Sequence, residues 1–115
     1  MMDSRIIVVE DEPELLEMLC HVLENEGFTV TPFGEADLDR MTSGDSSEFF
    51  LIDLMLPDID GIELAARLRS AGFDRSRLVG ISASSTALRD ASRSGHFQHV
   101  LAKPFDLSEL MSCFR

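Results

Sequence analysis

Two continuous apolar runs, each ending abruptly in acid, set the pattern of this chain. Residues 5–9 read RIIVV and lead into Glu10, Asp11 and Glu12, while residues 49–52 read FFLI and lead into Asp53. Apolar runs without alternation predict strands buried on both faces, as in the middle of a parallel sheet. Three further strands are expected at residues 28–33, 78–81 and 97–102, the first of them pushed toward a sheet edge by Pro32.

Between these runs the apolar residues recur at helical spacing. Leu15, Leu19, Val22 and Leu23 form a stripe that begins after Pro13 and stops at Gly27. Leu64, Ala65, Leu68 and Ala71 form another, with Asp60 as its cap and Gly72 as its end. Residues 35–41 predict a short helix, 42–47 a loop, and 86–94 a polar helix ended by Gly95. Asp106 and Glu109 have capping-box spacing ahead of Leu107, Leu110, Met111 and Phe114. Strands alternating with helices, five of each, predict one α/β domain over residues 1–115: a doubly wound five-stranded parallel sheet, (βα)5. Right-handed crossovers then bring the carboxyl ends of all strands to one edge.

Composition narrows the class. With 44% hydrophobic and 27% charged residues the chain is globular, and no apolar run approaches the roughly 20 residues of a membrane helix. No signal peptide is expected at MMDSR, so a cytoplasmic location is the expectation. Asp and Glu number 21 against 10 Lys and Arg, which argues against direct binding to nucleic acid or to an anionic membrane. Lys103 is the single lysine among those ten basic residues, and a compact ammonium is not interchangeable with the planar fork of arginine. Cys20 and Cys113 lack metal-ligand spacing and read as small buried hydrophobes, and His21, His96 and His99 as residues without chemistry.

The sheet edge collects the chemistry. Glu10 and Asp11 follow the first strand, Asp53 the third, Ser82 the fourth and Lys103 the fifth. Taken alone, Asp53 reads equally well as a turn former or helix cap. Four strand ends that each deliver a polar group point to a site. Three adjacent carboxylates repel one another unless a cation intervenes, and Mg²⁺ suits oxygen ligands while leaving room for phosphate oxygens. With Lys103 and a divalent cation the charges balance, in a pocket suited to a phosphoryl group: Ser82 donates a hydrogen bond and Asp53 attacks in line.

VVEDE, LIDLMLPDIDG, ISA and LAKPF, in this order and spacing, resemble the receiver domain of bacterial two-component response regulators over essentially the whole chain. The resemblance implies a flavodoxin-like sheet with strand order 2-1-3-4-5. It implies that Asp53 accepts a phosphoryl group from a sensor histidine kinase or a histidine phosphotransfer protein. It further implies Mg²⁺ (or Mn²⁺) held by Asp11 directly, by Glu10 through water, by Asp53 and by the backbone carbonyl of Met55. Ser82 takes the switch position, and Lys103 precedes a Pro104 whose peptide bond is expected to be cis. A downstream output protein or domain completes the partners, with homodimer formation left open. The chain is not expected to be an enzyme beyond catalysing its own phosphorylation and dephosphorylation.

Val100 departs from the family, which usually has Tyr or Phe three residues before the lysine. A phosphorylation-independent interaction module is therefore the alternative. A haloacid-dehalogenase-like phosphatase needs a second Asp where this chain has Met55, and a flavodoxin-like cofactor binder wants a phosphate loop where residues 10–14 are acidic. Apolar Met55, with Ser84 as the other flanking residue, predicts slow hydrolysis of the phosphorylated state. The last strand and the helix from Asp106 are expected to face a partner.

Overall fold

The computed structural model describes residues 4–44 and 48–114, so part of the expected loop at residues 42–47 lies outside the described residues. The strands are β1 (Arg5–Val9), β2 (Thr29–Phe33), β3 (Phe49–Asp53), β4 (Leu78–Ser82) and β5 (His99–Ala102). They alternate with α1 (Pro13–Asn25), α2 (Leu38–Met41), α3 (Gly61–Ser70), α4 (Ser85–Ser94) and α5 (Leu107–Ser112). All strand pairs are parallel, in the order β2-β1-β3-β4-β5, as expected.

The unbroken apolar runs are explained by what covers each face. Side chains alternate across a strand, so Ile6, Val8, Leu51, Val79 and Ile81 pack beneath α1 and α5, with Leu19, Leu23, Leu110 and Met111. Ile7, Val9, Phe50, Ile52 and Leu78 point the other way, toward Leu64, Ala65 and Leu68 of α3, Met41 of α2 and Ala91 of α4. Both faces are buried, so neither can be polar. The edge strands escape this demand: β2 keeps Thr29, Thr31 and Pro32 exposed, and β5 keeps His99 and Ala102 exposed.

Helix ends follow the chemistry read from sequence. The Asp60 carboxylate accepts from the Ile62 N–H at 2.7 Å, and Asp106 and Glu109 form the expected reciprocal capping box. Several boundaries differ from expectation, three of them with a visible cause. Asp37, whose carboxylate accepts from the Arg40 N–H, starts α2 at Leu38 rather than at residue 35. Ser84 caps α4 and starts it at Ser85, one residue early. β5 begins at His99, because Phe97 turns its ring into the core instead of extending the strand. A 3₁₀ turn at Arg75–Arg77, capped by Asp74, leads into β4 and was not anticipated.

Candidate functional site

Register builds the site. Val9 lies beside Ile52, Asp53 beside Ile81, and Ser82 beside Ala102, so Glu10, Asp53, Ser82 and Lys103 emerge together at the carboxyl edge of four neighbouring strands. Glu10, Asp11 and Asp53 can each offer a carboxylate oxygen such that all three atoms lie within 4.8 Å of one another. Glu10 and Asp53 are buried, whereas Asp11 is exposed.

Lys103 joins the two buried acids. Its Nζ donates to Glu10 Oε1 at 3.0 Å and to Asp53 Oδ2 at 3.3 Å. The ammonium was expected near Asp53; its shorter bond to Glu10 was not read from the sequence. Asp53 Oδ1 accepts from the Met55 N–H at 2.9 Å, and Glu10 Oε2 from the Glu12 N–H at 3.2 Å. Every carboxylate oxygen of the buried pair therefore has a donor.

Electrostatics show the strain of this grouping. Burial, reinforced by the neighbouring Asp53 carboxylate and only partly offset by Lys103, raises the Glu10 carboxyl from 4.5 to about 7. Burial by itself would lower the Lys103 ammonium, but its contacts with Glu10 and Asp53 outweigh that and raise it. One ammonium, bonded to Glu10 and Asp53, thus stands against a cluster of three carboxylates. That donor set fits a hard divalent cation: clustered oxygens, an exposed carboxylate on the solvent side, and positive charge in short supply.

The remaining residues singled out from sequence occupy distinct places. Ser82 is fully buried at the end of β4, and its carbonyl accepts from the Lys103 N–H at 2.9 Å. The Lys103–Pro104 peptide bond is cis, as expected. Met55 is 62% exposed in the loop after the acid, a loop closed by its bridge to Asp60 and by the Gly61 N–H donating to the Leu54 carbonyl. Val100 is half-buried against the core on the α3/α4 side. Cys20 is half-buried and Cys113 buried; in both, burial pushes the thiol up, so both stay protonated. His21 lies 3.3 Å from the Asn25 amide, and His99 is exposed.

Two structural roles beside the candidate site are not read from the sequence. Gly61 opens α3 so close to the acid that an added Cβ would lie 2.6 Å from Leu54 Cα and 2.8 Å from the Asp53 carbonyl oxygen. The glycine in PDIDG was the available signal, read only as a helix start. The Ser84 N–H donates to Ser82 Oγ at 3.0 Å while the Ser84 hydroxyl caps α4.

The model of the response regulator receiver domain matches residues 6–115. The chain belongs to this family. Among curated relatives, transcriptional regulatory protein TcrA of Mycobacterium tuberculosis is 35% identical over 112 residues, covering 96% of this chain and 44% of the relative. Response regulator MprA of Mycobacterium ulcerans is 33% identical over 115 residues, covering 99% of this chain and 50% of the relative. The chain thus spans about half the length of the curated relatives it matches. Among solved structures, the Thermotoga maritima response regulator TrrA in complex with Mg²⁺-BeF superposes with a TM-score of 0.82 at 26% identity, covering 95% of this chain and 94% of that one. A CheY-like receiver domain from Methylobacillus flagellatus gives 0.83 at 26% identity, covering 98% and 97%. Among the described residues no helix is long and apolar enough to cross a membrane.

Proposed function

We propose that this chain is the phosphoacceptor of a two-component phosphorelay, in which Asp53 takes a phosphoryl group from a histidine kinase or a histidine phosphotransfer protein. The observation that carries the reading is the bridge from one ammonium to two buried carboxylates, Lys103 to Glu10 and to Asp53, beside exposed Asp11. A merely structural site has no reason to concentrate three acids around one lysine at a strand edge.

The Asp53 carboxylate attacks phosphorus, a P–O bond forms, and the P–N bond of the donor phosphohistidine breaks with its electron pair returning to the imidazole. Lys103, already bonded to Asp53, meets the incoming oxygens with positive charge, and Ser82 supplies an O–H from the next strand. Asp11, Glu10, Asp53 and the Met55 carbonyl are the proposed ligands of Mg²⁺ or Mn²⁺, which when bound offsets the charge of the acids and of the phosphoryl oxygens. No external substrate is turned over: the chain catalyses only its own phosphorylation and dephosphorylation.

Docking of the donor is supported by where apolar surface is left open. The exposed large hydrophobics are Met18, Met55 and Leu107 among the described residues. Met18 also lines an apolar hollow of about 320 Å³ with Leu15, Ala83, Lys103, Pro104 and Phe105, immediately beside the acid pocket. β5 and α5 remain the proposed face toward an output partner. A second reading, an interaction module that works without phosphorylation, has Val100 in its favour.

Incubation with acetyl phosphate, followed by intact mass, tests the reading. One added phosphoryl group with Mg²⁺ and none with EDTA supports it, and no addition under either condition favours the second reading.

A further inference from the structure

We infer that the amino end of the sheet carries a second binding surface, a hollow around Arg77 that takes an acidic segment of a partner protein by one aromatic side chain and an adjoining carboxylate; unlike the phosphoryl chemistry, it needs no modified Asp53. Register builds this end of the sheet as it builds the other. Phe50 lies beside Leu78 and Val79 beside His99, so Phe49, Arg77 and Gln98 stand together at the starts of three neighbouring strands. With His99, and with Cys113 and Phe114 at the end of α5, they line a hollow of about 340 Å³. Its floor is apolar: the Phe49 and Phe114 rings meet edge to face with centroids 5.4 Å apart, and Cys113 is buried. Its rim is polar, with Gln98 and His99 exposed.

Arg77 gives the hollow its preference. Its guanidinium lies over the Phe49 ring, 4.6 Å from the centroid, and among the described residues no carboxylate pairs with it. Neighbouring arginines are engaged: Arg67 with Glu63, Arg69 with the Gly95 carbonyl and Arg75 with the Phe97 carbonyl. A guanidinium that meets a ring by its face keeps its in-plane N–H donors for a planar acceptor, and a carboxylate matches that fork.

Charge selects the partner. Residues 67–99 hold six of the ten basic residues and only two of the 21 Asp and Glu, so an acidic segment is attracted here and repelled by most of the remaining surface. A hollow with so exposed a rim does not enclose a small molecule, but it suits one anchoring side chain of a segment laid across it. Phe49 opens the strand that Asp53 closes, roughly 13 Å away along β3, so an occupant leaves the acid pocket clear.

Fluorescence titration of the full chain tests this surface, because the chain holds no Trp or Tyr and the tryptophan of a peptide is then the only strong emitter. The peptide EEWEE, blocked at both ends, is expected to bind saturably with a blue shift, and QQWQQ about tenfold more weakly. Arg77→Gln is expected to weaken EEWEE about tenfold, the loss of a charge-assisted pair. His99→Glu, at an exposed position that the fold tolerates, is expected to weaken it by a similar factor through like charge, and it decides alone if circular dichroism shows Arg77→Gln unfolded. Arg89→Gln, exposed on α4 outside the hollow, is expected to bind as the parent chain does. Equal loss in Arg89→Gln, QQWQQ or indole-3-acetate binding as tightly as EEWEE, or no binding of EEWEE overturns the inference. Acetyl phosphate with Mg²⁺ is expected to leave the affinity unchanged, and a chain that takes up no phosphoryl group but binds EEWEE overturns the phosphoacceptor reading alone.

Discussion

Lys103 and Glu10, 93 positions apart in the chain, are joined by a 3.0 Å ion pair in which the carboxylate is 1% exposed and the lysine side chain 21%. The same ammonium reaches Asp53, so one side chain closes the sheet edge across β1, β3 and β5. Replacing it with methionine keeps the stem and removes the charge, leaving two buried acids with no cation. Lys103→Met is expected to cost on the order of 2 kcal/mol in urea unfolding and to slow phosphoryl uptake. Lys103→Arg is not expected to rescue uptake, because the fork cannot place one donor on each acid in the same space. Wild-type uptake in either variant would contradict this role.

Glu10 is expected to make stability depend on pH. Its folded carboxyl is raised to about 7 from 4.5, so the folded chain favours the protonated form. The stabilising contribution is therefore complete below the ordinary value and is lost as pH rises through about 7, amounting to on the order of 3 kcal/mol. Urea unfolding in EDTA should give lower stability at pH 8 than at pH 5.5 from this group, and Glu10→Gln should remove that part of the slope. On the proposed ligand set Mg²⁺ would compete with the same proton, so its affinity should fall as pH drops below about 7. An affinity independent of pH would refute the assignment.

Gly61 and Gly80 both lack room for a side chain, but for different reasons. At Gly61 an added Cβ meets backbone of Leu54 and Asp53, while at Gly80 it meets side-chain atoms of Leu54 and Phe97 at 2.9 and 3.2 Å. Backbone cannot give way, and side chains can shift. Gly61→Ala is expected to cost about 3 kcal/mol and to depress phosphoryl uptake by moving Asp53, and Gly80→Ala to cost less. Paired denaturant curves decide the order.

Much of the fold and most of the candidate site are legible in the sequence. β1 and β3 are buried on both faces, so burial writes itself into RIIVV and FFLI, and each apolar run ends where the polar edge begins. The edge strands were blurred because one free side relaxes the pattern, and Phe97 resembled a strand residue when its ring serves the core. The Arg75–Arg77 turn has no period to read, only a cap at Asp74. Ser84 was legible as a neighbour of the site but not as a helix cap, because α4 is too polar to show where it starts. Proximity of strand ends follows from topology; which acid Lys103 approaches more closely depends on side-chain packing.

Met55, 62% exposed two residues after Asp53, and Ser84 offer no acid or amide to orient a water. The phosphorylated state is expected to outlast seconds in purified protein, and Met55→Asn to shorten its lifetime roughly tenfold by adding a group that positions water. Mass spectra taken over time after removal of acetyl phosphate measure both. A half-life of seconds in the parent chain would count against this part.

On the proposed function Asp53, and no other carboxylate, carries the phosphoryl group. Borohydride reduces an acyl phosphate to an alcohol, so treatment after acetyl phosphate and Mg²⁺, followed by peptide mapping, marks the modified aspartate as homoserine. Homoserine is expected at position 53 alone and not at all in Asp53→Asn. Homoserine at Asp11, Asp58 or elsewhere, or nowhere at all, would contradict it.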